Sequence, residues 1–216
     1  MSESISPSAT ELLSEKEILH AREIFSDDPI VLKALEFAIK AHSGQTRKAG
    51  GESYIIHPIG VAIMVRGVGA DSKTQAAALL HDVPEDTSFS LEDIRENFGN
   101  DIANMVEDVT EDDKTKLWMQ RKYEGIERVT QLGKNSLLIK TANAVYNYCT
   151  LIHGLEQKGE EFMKPFNAPL PAQVDVVRRL YEALVAKWPE NPWLHSYRTI
   201  LESLEDFDDR FKFRSN

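Results

Sequence analysis

An all-α fold is what the sequence predicts, from three observations. Helix start and stop signals recur along the chain, apolar residues repeat at helical spacing, and no stretch alternates apolar and polar residues between hairpin turns. The 216 residues can bury a sizeable core in a single domain.

The elements follow in order. Residues 1–10 are Ser-rich and read as a tail. Helical spacing covers about 11–25 and about 29–43, the second with Leu32, Leu35, Ile39 and His42 on one face. GQTRKAGGESYII, residues 44–56, is a Gly-rich loop. Pro58 suits the first turn of the next helix, which Gly67 and Gly69 end. Asp71 or Ser72 can cap a helix running to about Val83, packed by Ala76, Ala77 and Ala78. Ser90 and Asp93 form a capping box for another helix, which Gly99 stops. Ile102, Met105, Val106 and Val109 mark a further amphipathic helix. Long helices are expected at about 114–132, 135–155, 170–187 and 193–207. PFNAPLP, residues 165–171, reads as a loop inside one domain, because neither side looks self-sufficient. The chain is thus divided into a tail and first helix (1–28), a core (29–155) and C-terminal helices packing on the same domain (156–216).

Charge and composition exclude several classes. A net charge of -10 argues against broad nucleic-acid binding, which needs clustered Lys and Arg. No uncharged apolar run is long enough to span a membrane, and the first residues lack the basic-then-apolar order of a secretory signal. The single cysteine, Cys149, cannot form an internal disulfide, which points to a reducing, cytoplasmic home. An anionic ligand must therefore be held by a local basic group or by a metal.

One stretch concentrates chemistry: AALLHDVPEDT, residues 77–87. Helix neighbours point about 100° apart, so His81 and Asp82 converge only on a point beside the helix flank. His57, just before Pro58, is a candidate to close the far side. Imidazole with carboxylate suits a divalent ion such as Mn, Fe or Zn. On the helix over 135–155, Lys140, Asn143, Asn147 and Thr150 form a narrow polar stripe. Leu138, Ala142, Val145, Cys149 and Ile152 oppose it, with apolar flanks. A helix so nearly apolar all round is expected to be buried, with its stripe facing a cavity. His42, on an apolar face, reads as a core histidine, and Arg121 and Lys122 as an exposed helix face. His20, His153 and His195 show no partner pattern, and Trp188 and Trp193 are expected to pack the C-terminal helices.

Four segments in order carry a resemblance: AIKAHSGQTRKAGGESYIIHPIGVA, AALLHDVPEDT, FGNDIANMVEDVTEDDK and LLIKTANAVYNYCTL, within residues 38–151. The sequence here resembles the HD-domain phosphohydrolases, and more narrowly the hydrolase domain of RelA/SpoT-type enzymes and small alarmone hydrolases. The resemblance implies a helical bundle in which His57, His81 and Asp82 bind a metal, Mn²⁺ before others. It implies that Glu85 and Asp86 work on the substrate and the attacking water. It sets Arg47 and Lys48 against the nucleotide, with Asn147 and Thr150 as further contacts. The family's fourth metal ligand is the aspartate of a motif resembling KLADRLHN; here the motif reads KTANAVYN and that position is Asn143. The substrate implied is guanosine tetra- or pentaphosphate, losing its 3′-pyrophosphate, and the length suggests a stand-alone hydrolase without the family's synthetase domain. Another nucleotide substrate, or a nucleotide-sensing protein with a weakened metal site, are the alternatives.

Overall fold

A computed structural model of the chain describes residues 9–47, 51–111 and 115–214. Helices α1 (Ala9–Ile24), α2 (Pro29–Ala41), α3 (Ile56–Gly67) and α4 (Ser72–Leu80) open the chain. A single turn, α5 (Val83–Asp86), precedes α6 (Leu91–Phe98) and α7 (Asn100–Val109). After α8 (Trp118–Glu127) and a 3-10 turn, the 25-residue α9 (Lys134–Lys158) crosses the molecule. A second 3-10 turn leads to α10 (Leu170–Lys187) and α11 (Leu194–Arg214). The described residues contain no strand, only one isolated bridge between Thr46 and Ser53 in the loop before α3. No helix among them is long and apolar enough to cross a membrane.

Local chemistry explains the boundaries. Asp28 caps α2 through Ile30 and Val31, with Pro29 at the first position. Asp71 caps α4 by accepting from the Thr74 N–H. The expected capping box forms, Ser90 and Asp93 each accepting from the other's backbone N–H.

Two expected helices end differently. The helix expected to reach Val83 stops at Leu80. Pro84 has no N–H for the Leu80 carbonyl, and its ring would clash with it, so the chain turns at His81 and Asp82 and restarts as α5. The span expected as one helix at about 114–132 becomes α8 from Trp118 and a 3-10 turn over Arg128–Gln131. The last helix runs on to Arg214.

α9 joins two apolar clusters. Leu138, Ile139 and Ala142 pack into the core built by α1–α4, α6 and α7. Leu137, Val145, Leu151 and Leu155 pack into a second core with α10 and α11. Apolar residues on opposed faces bury α9 between the two, as its nearly uniform apolarity implies. The opposing face thins toward its end: Ile152 is half-buried, and Cys149, assigned to that face, is exposed. Trp188 and Trp193 pack against both cores.

Gly60 on α3 permits one close approach. A Cβ there would lie 2.1 Å from Cε2 of Tyr146 on α9. The Tyr146 ring in turn packs on His57, ring centres 5.0 Å apart. Gly60→Ala is expected to displace that ring and destabilise the protein by about 1–3 kcal/mol, the scale of overpacking. Thermal denaturation beside a divalent-metal titration checks it, and both should weaken together.

Candidate metal centre and substrate cavity

The break after α4 is what brings His81 and Asp82 together. His81 Nε2 lies 3.1 Å from Asp82 Oδ1, and His57 Nε2, from the first turn of α3, lies 3.4 Å from Asp82 Oδ2. His57 and His81 are 2% exposed and Asp82 9%, so three chemically active side chains share a buried site. Among the described residues they form one group of ligand atoms within 4.8 Å of one another.

The donors suit a cation. His81 Nδ1 donates to the Ala78 carbonyl at 2.8 Å; a carbonyl only accepts, so Nε2 of the neutral ring presents a lone pair. That lone pair faces a carboxylate oxygen and finds no hydrogen-bond partner. Two electron-rich atoms facing each other in a buried site repel unless a positive charge sits between them. Burial pushes the His57 imidazole down to about 4, against the pull of Asp82, so the His57 ring is neutral near pH 7. Burial alone would raise the Asp82 carboxyl, but His81, His57 and Tyr54 beside it lower it further, and it stays ionised.

Tyr54 braces the carboxylates. Its hydroxyl lies 2.8 Å from Asp82 Oδ2 and 2.8 Å from Asp86 Oδ2. Burial and the two aspartates hold the phenol far above its usual range, so it keeps its proton and can donate it to either. The His42 ring stacks on Tyr54 at 4.8 Å and pairs with Gln45, whose amide donates to the Asp86 carbonyl at 2.6 Å. His42 is a buried supporting histidine, as its apolar surroundings suggest.

These groups open onto a cavity of about 650 Å³, lined by Arg47, Glu85, Asp86, Asn143, Asn147 and Thr150 among others. Burial and Asp82 push the Glu85 carboxyl up to about 7, although it accepts from the Glu111 N–H at 2.5 Å. The polar stripe of α9 faces this cavity, with Lys140, Asn143, Asn147 and Thr150 all lining it. Arg47 Nη2 donates to Asn147 Oδ1 at 2.9 Å, and Asn147 Nδ2 donates to Asn143 Oδ1 at 2.6 Å. Because a guanidinium only donates, Arg47 orients both amides. Arg47 also lies 3.6 Å from Glu52 and over the Tyr146 ring at 5.7 Å. The Thr150 hydroxyl donates to its own helix at the Tyr146 carbonyl. Lys48 lies outside the described residues.

Arg121 and Lys122 correct an expectation. Neither stands on a freely exposed face: their side chains are 15% and 33% exposed, and both pair with Glu111. Lys122 lines the cavity. Glu111 closes this part of the α7–α8 connection, drawing the basic side chains inward. Sequence reasoning missed Tyr54 and Glu111. Tyr54 lies one helical turn before His57, and Glu111 opens the acidic run EDD, but neither signal stands out alone. His20, His153 and His195 are exposed.

A helical bundle with a buried His-His-Asp group at a helix break defines a class. The chain belongs to the HD-domain family, whose model matches residues 34–144. That family binds divalent metal, and the His57–His81–Asp82 cluster is what this chain offers for it. Over 147 residues the chain is 38% identical to guanosine-3′,5′-bis(diphosphate) 3′-pyrophosphohydrolase MESH1 of Xenopus tropicalis, covering 64% of this chain and 82% of that protein. It is 37% identical to guanosine-3′,5′-bis(diphosphate) 3′-pyrophosphohydrolase of Aquifex aeolicus, covering 67% of this chain but only 20% of that longer protein. The fold is shared with the solved structure of a metazoan orthologue of SpoT that hydrolyses ppGpp. There the TM-score is 0.63 at 23% identity, with 96% of this chain and 98% of the other covered.

Proposed function

We propose that this chain is a metal-dependent phosphohydrolase that removes the 3′-diphosphate of guanosine polyphosphates, leaving GDP or GTP and pyrophosphate. The observation that carries the reading is one cavity onto which His57 and Asp82 of the buried His57–His81–Asp82 cluster open, beside Glu85 and Asp86. The activity in the names of the relatives, one of them 82% covered by this chain, supports the substrate. A volume of about 650 Å³ lies within the range of small-ligand pockets.

In this reading His57, His81, Asp82 and the Asn143 oxygen hold the ion, with Mn²⁺ suited to mixed nitrogen and oxygen donors. A divalent cation supplies positive charge and Lewis acidity toward the phosphoryl oxygens. Glu85, poised near neutral pH, accepts a proton from the attacking water, and Asp86, set by Tyr54 and Gln45, orients that water. The water oxygen bonds to the phosphorus, the bond from phosphorus to the ribose 3′-oxygen breaks, and that oxygen takes up a proton. Arg47 is assigned to the base and Lys48 to phosphate, with Asn147 and Thr150 completing the nucleotide contacts. The catalytic core spans 29–155, behind the segment 1–28, and the helices of 156–216 pack on it. An exposed free thiol at Cys149 fits a reducing cytoplasm, and the net charge of -10 fits a partner other than nucleic acid.

Incubating the protein with guanosine tetraphosphate and Mn²⁺, then separating nucleotides and phosphates, tests the proposal. GDP and pyrophosphate are expected; orthophosphate release or intact substrate opposes it.

Asn143 gives a second reading a foothold. Its one oxygen already accepts from Asn147, so it meets a metal less well than a carboxylate would. A nucleotide sensor with a poorly filled metal site follows if occupancy is low. Asn143→Asp is expected to lower the Mn²⁺ concentration for half-maximal hydrolysis about tenfold, the scale of about 1.4 kcal/mol. An unchanged metal titration would place Asn143 outside the ligand set.

A further inference from the structure

Lys140 is the cavity's unexplained charge. Three described basic residues line the cavity: Arg47, Lys122 and Lys140. Arg47 faces Glu52 and Lys122 pairs with Glu111. Among the described residues, Lys140 has neither an ion pair nor a hydrogen bond, and it lies half-buried on α9. Its ammonium is not among the buried unpartnered polar atoms, so it stands toward the open cavity, where an arriving anion can meet it. Burial, with Lys122 and Arg128 nearby, lowers it to about 8, against the smaller pull of Glu111 and Glu85.

Its surroundings are shaped for a ligand. On the α8 side the ammonium meets Gly125, where a Cβ would stand 3.5 Å from Nζ, so no side chain there competes for it. Lys140 and Asn143 are three residues apart on one face, an axial rise of about 4.5 Å. A group anchored at the metal end and extended along the stripe runs toward Lys140 in the same cavity. Five carboxylates line the same cavity, so an anionic group there needs a cation that is not already paired. A compact ammonium suits phosphate oxygens better than a base.

We infer that Lys140 is a diphosphate anchor: its ammonium takes the terminal phosphate of the diphosphate that the reaction releases, while the inner phosphate sits at the metal end. The inference rests on the reading that the substrate carries a diphosphate. It also gives the stripe a division of labour, with Lys140 serving the diphosphate under attack and Asn147 the nucleoside.

The test uses the full chain with Mn²⁺ at a fixed free concentration and inorganic pyrophosphate as the probe in titration calorimetry. Lys140→Met should weaken pyrophosphate binding about tenfold or more, Lys140→Arg should keep it within about threefold, and GDP affinity should stay unchanged in both. The thermal midpoint of ligand-free Lys140→Met should not fall, because the ammonium holds no hydrogen bond or ion pair among the described residues. A lysine that only holds the fold gives the reverse, a lower midpoint with pyrophosphate binding intact. Undiminished pyrophosphate binding in Lys140→Met, beside hydrolysis of guanosine tetraphosphate by the parent, overturns the anchor and leaves the function standing. Lys140-dependent pyrophosphate binding in a parent that does not hydrolyse guanosine tetraphosphate does the opposite: the anchor stands and the substrate reading fails.

Discussion

Glu85→Gln is expected to lower kcat by about 10³-fold, within the usual range for removing a general acid or base, while nucleotide affinity changes little. The substitution keeps shape and hydrogen bonding, including acceptance from the Glu111 N–H, and removes the proton acceptor. Burial and Asp82 hold this carboxyl up to about 7, so it exchanges a proton where the reaction runs. A stability effect follows with a definite sign. The folded-state value lies above the ordinary 4.5, so the protonated form suits the fold and stability is lost as pH rises from about 4.5 through about 7. In chelator-treated protein, Glu85→Gln should therefore melt higher than the parent at pH 8 and alike at pH 4, pH values set on the scale of those shifts. Single-turnover kinetics with a pH series of melting curves measures both. Full activity in the variant removes Glu85 from the mechanism.

His81→Ala is expected to weaken Mn²⁺ binding by about 100-fold or more and to abolish turnover at micromolar metal, with the helices retained. The imidazole supplies the lone pair that faces Asp82, and its other nitrogen is fixed by Ala78. Removing it leaves two donors of the buried cluster and opens the site to water. Metal content after gel filtration, beside far-ultraviolet circular dichroism, separates loss of metal from loss of fold. Parent-level metal in a folded His81→Ala protein places the ion elsewhere.

Much of this was legible in residues whose chemistry is local. The caps at Asp71 and Ser90, and the apolar wrap of the helix carrying Asn143, follow from spacing alone. The His57–His81–Asp82 group could be suspected from types and order, yet its convergence depends on Pro84 breaking the helix one turn earlier than its apolar pattern suggests. Pattern continued where the backbone could not. Lys122 was misread because it sits on a polar helix face; what turns it inward is Glu111, eleven residues away across the turn into α8. Tyr54 was invisible for the same reason, since its worth lies in two aspartates supplied by another segment. The extent of α9's burial needed two cores from opposite ends of the chain, and Cys149 shows where that burial stops.

The central claim is that water attacks a phosphorus of the 3′-diphosphate, beside Glu85 and the His57–His81–Asp82 cluster, and that the ribose oxygen leaves. Hydrolysing guanosine tetraphosphate in heavy-oxygen water, with Mn²⁺ present, and weighing both products by mass spectrometry tests it directly. One heavy oxygen in pyrophosphate and none in GDP is the expected result. Heavy oxygen in the nucleotide, or its appearance in orthophosphate, would contradict it.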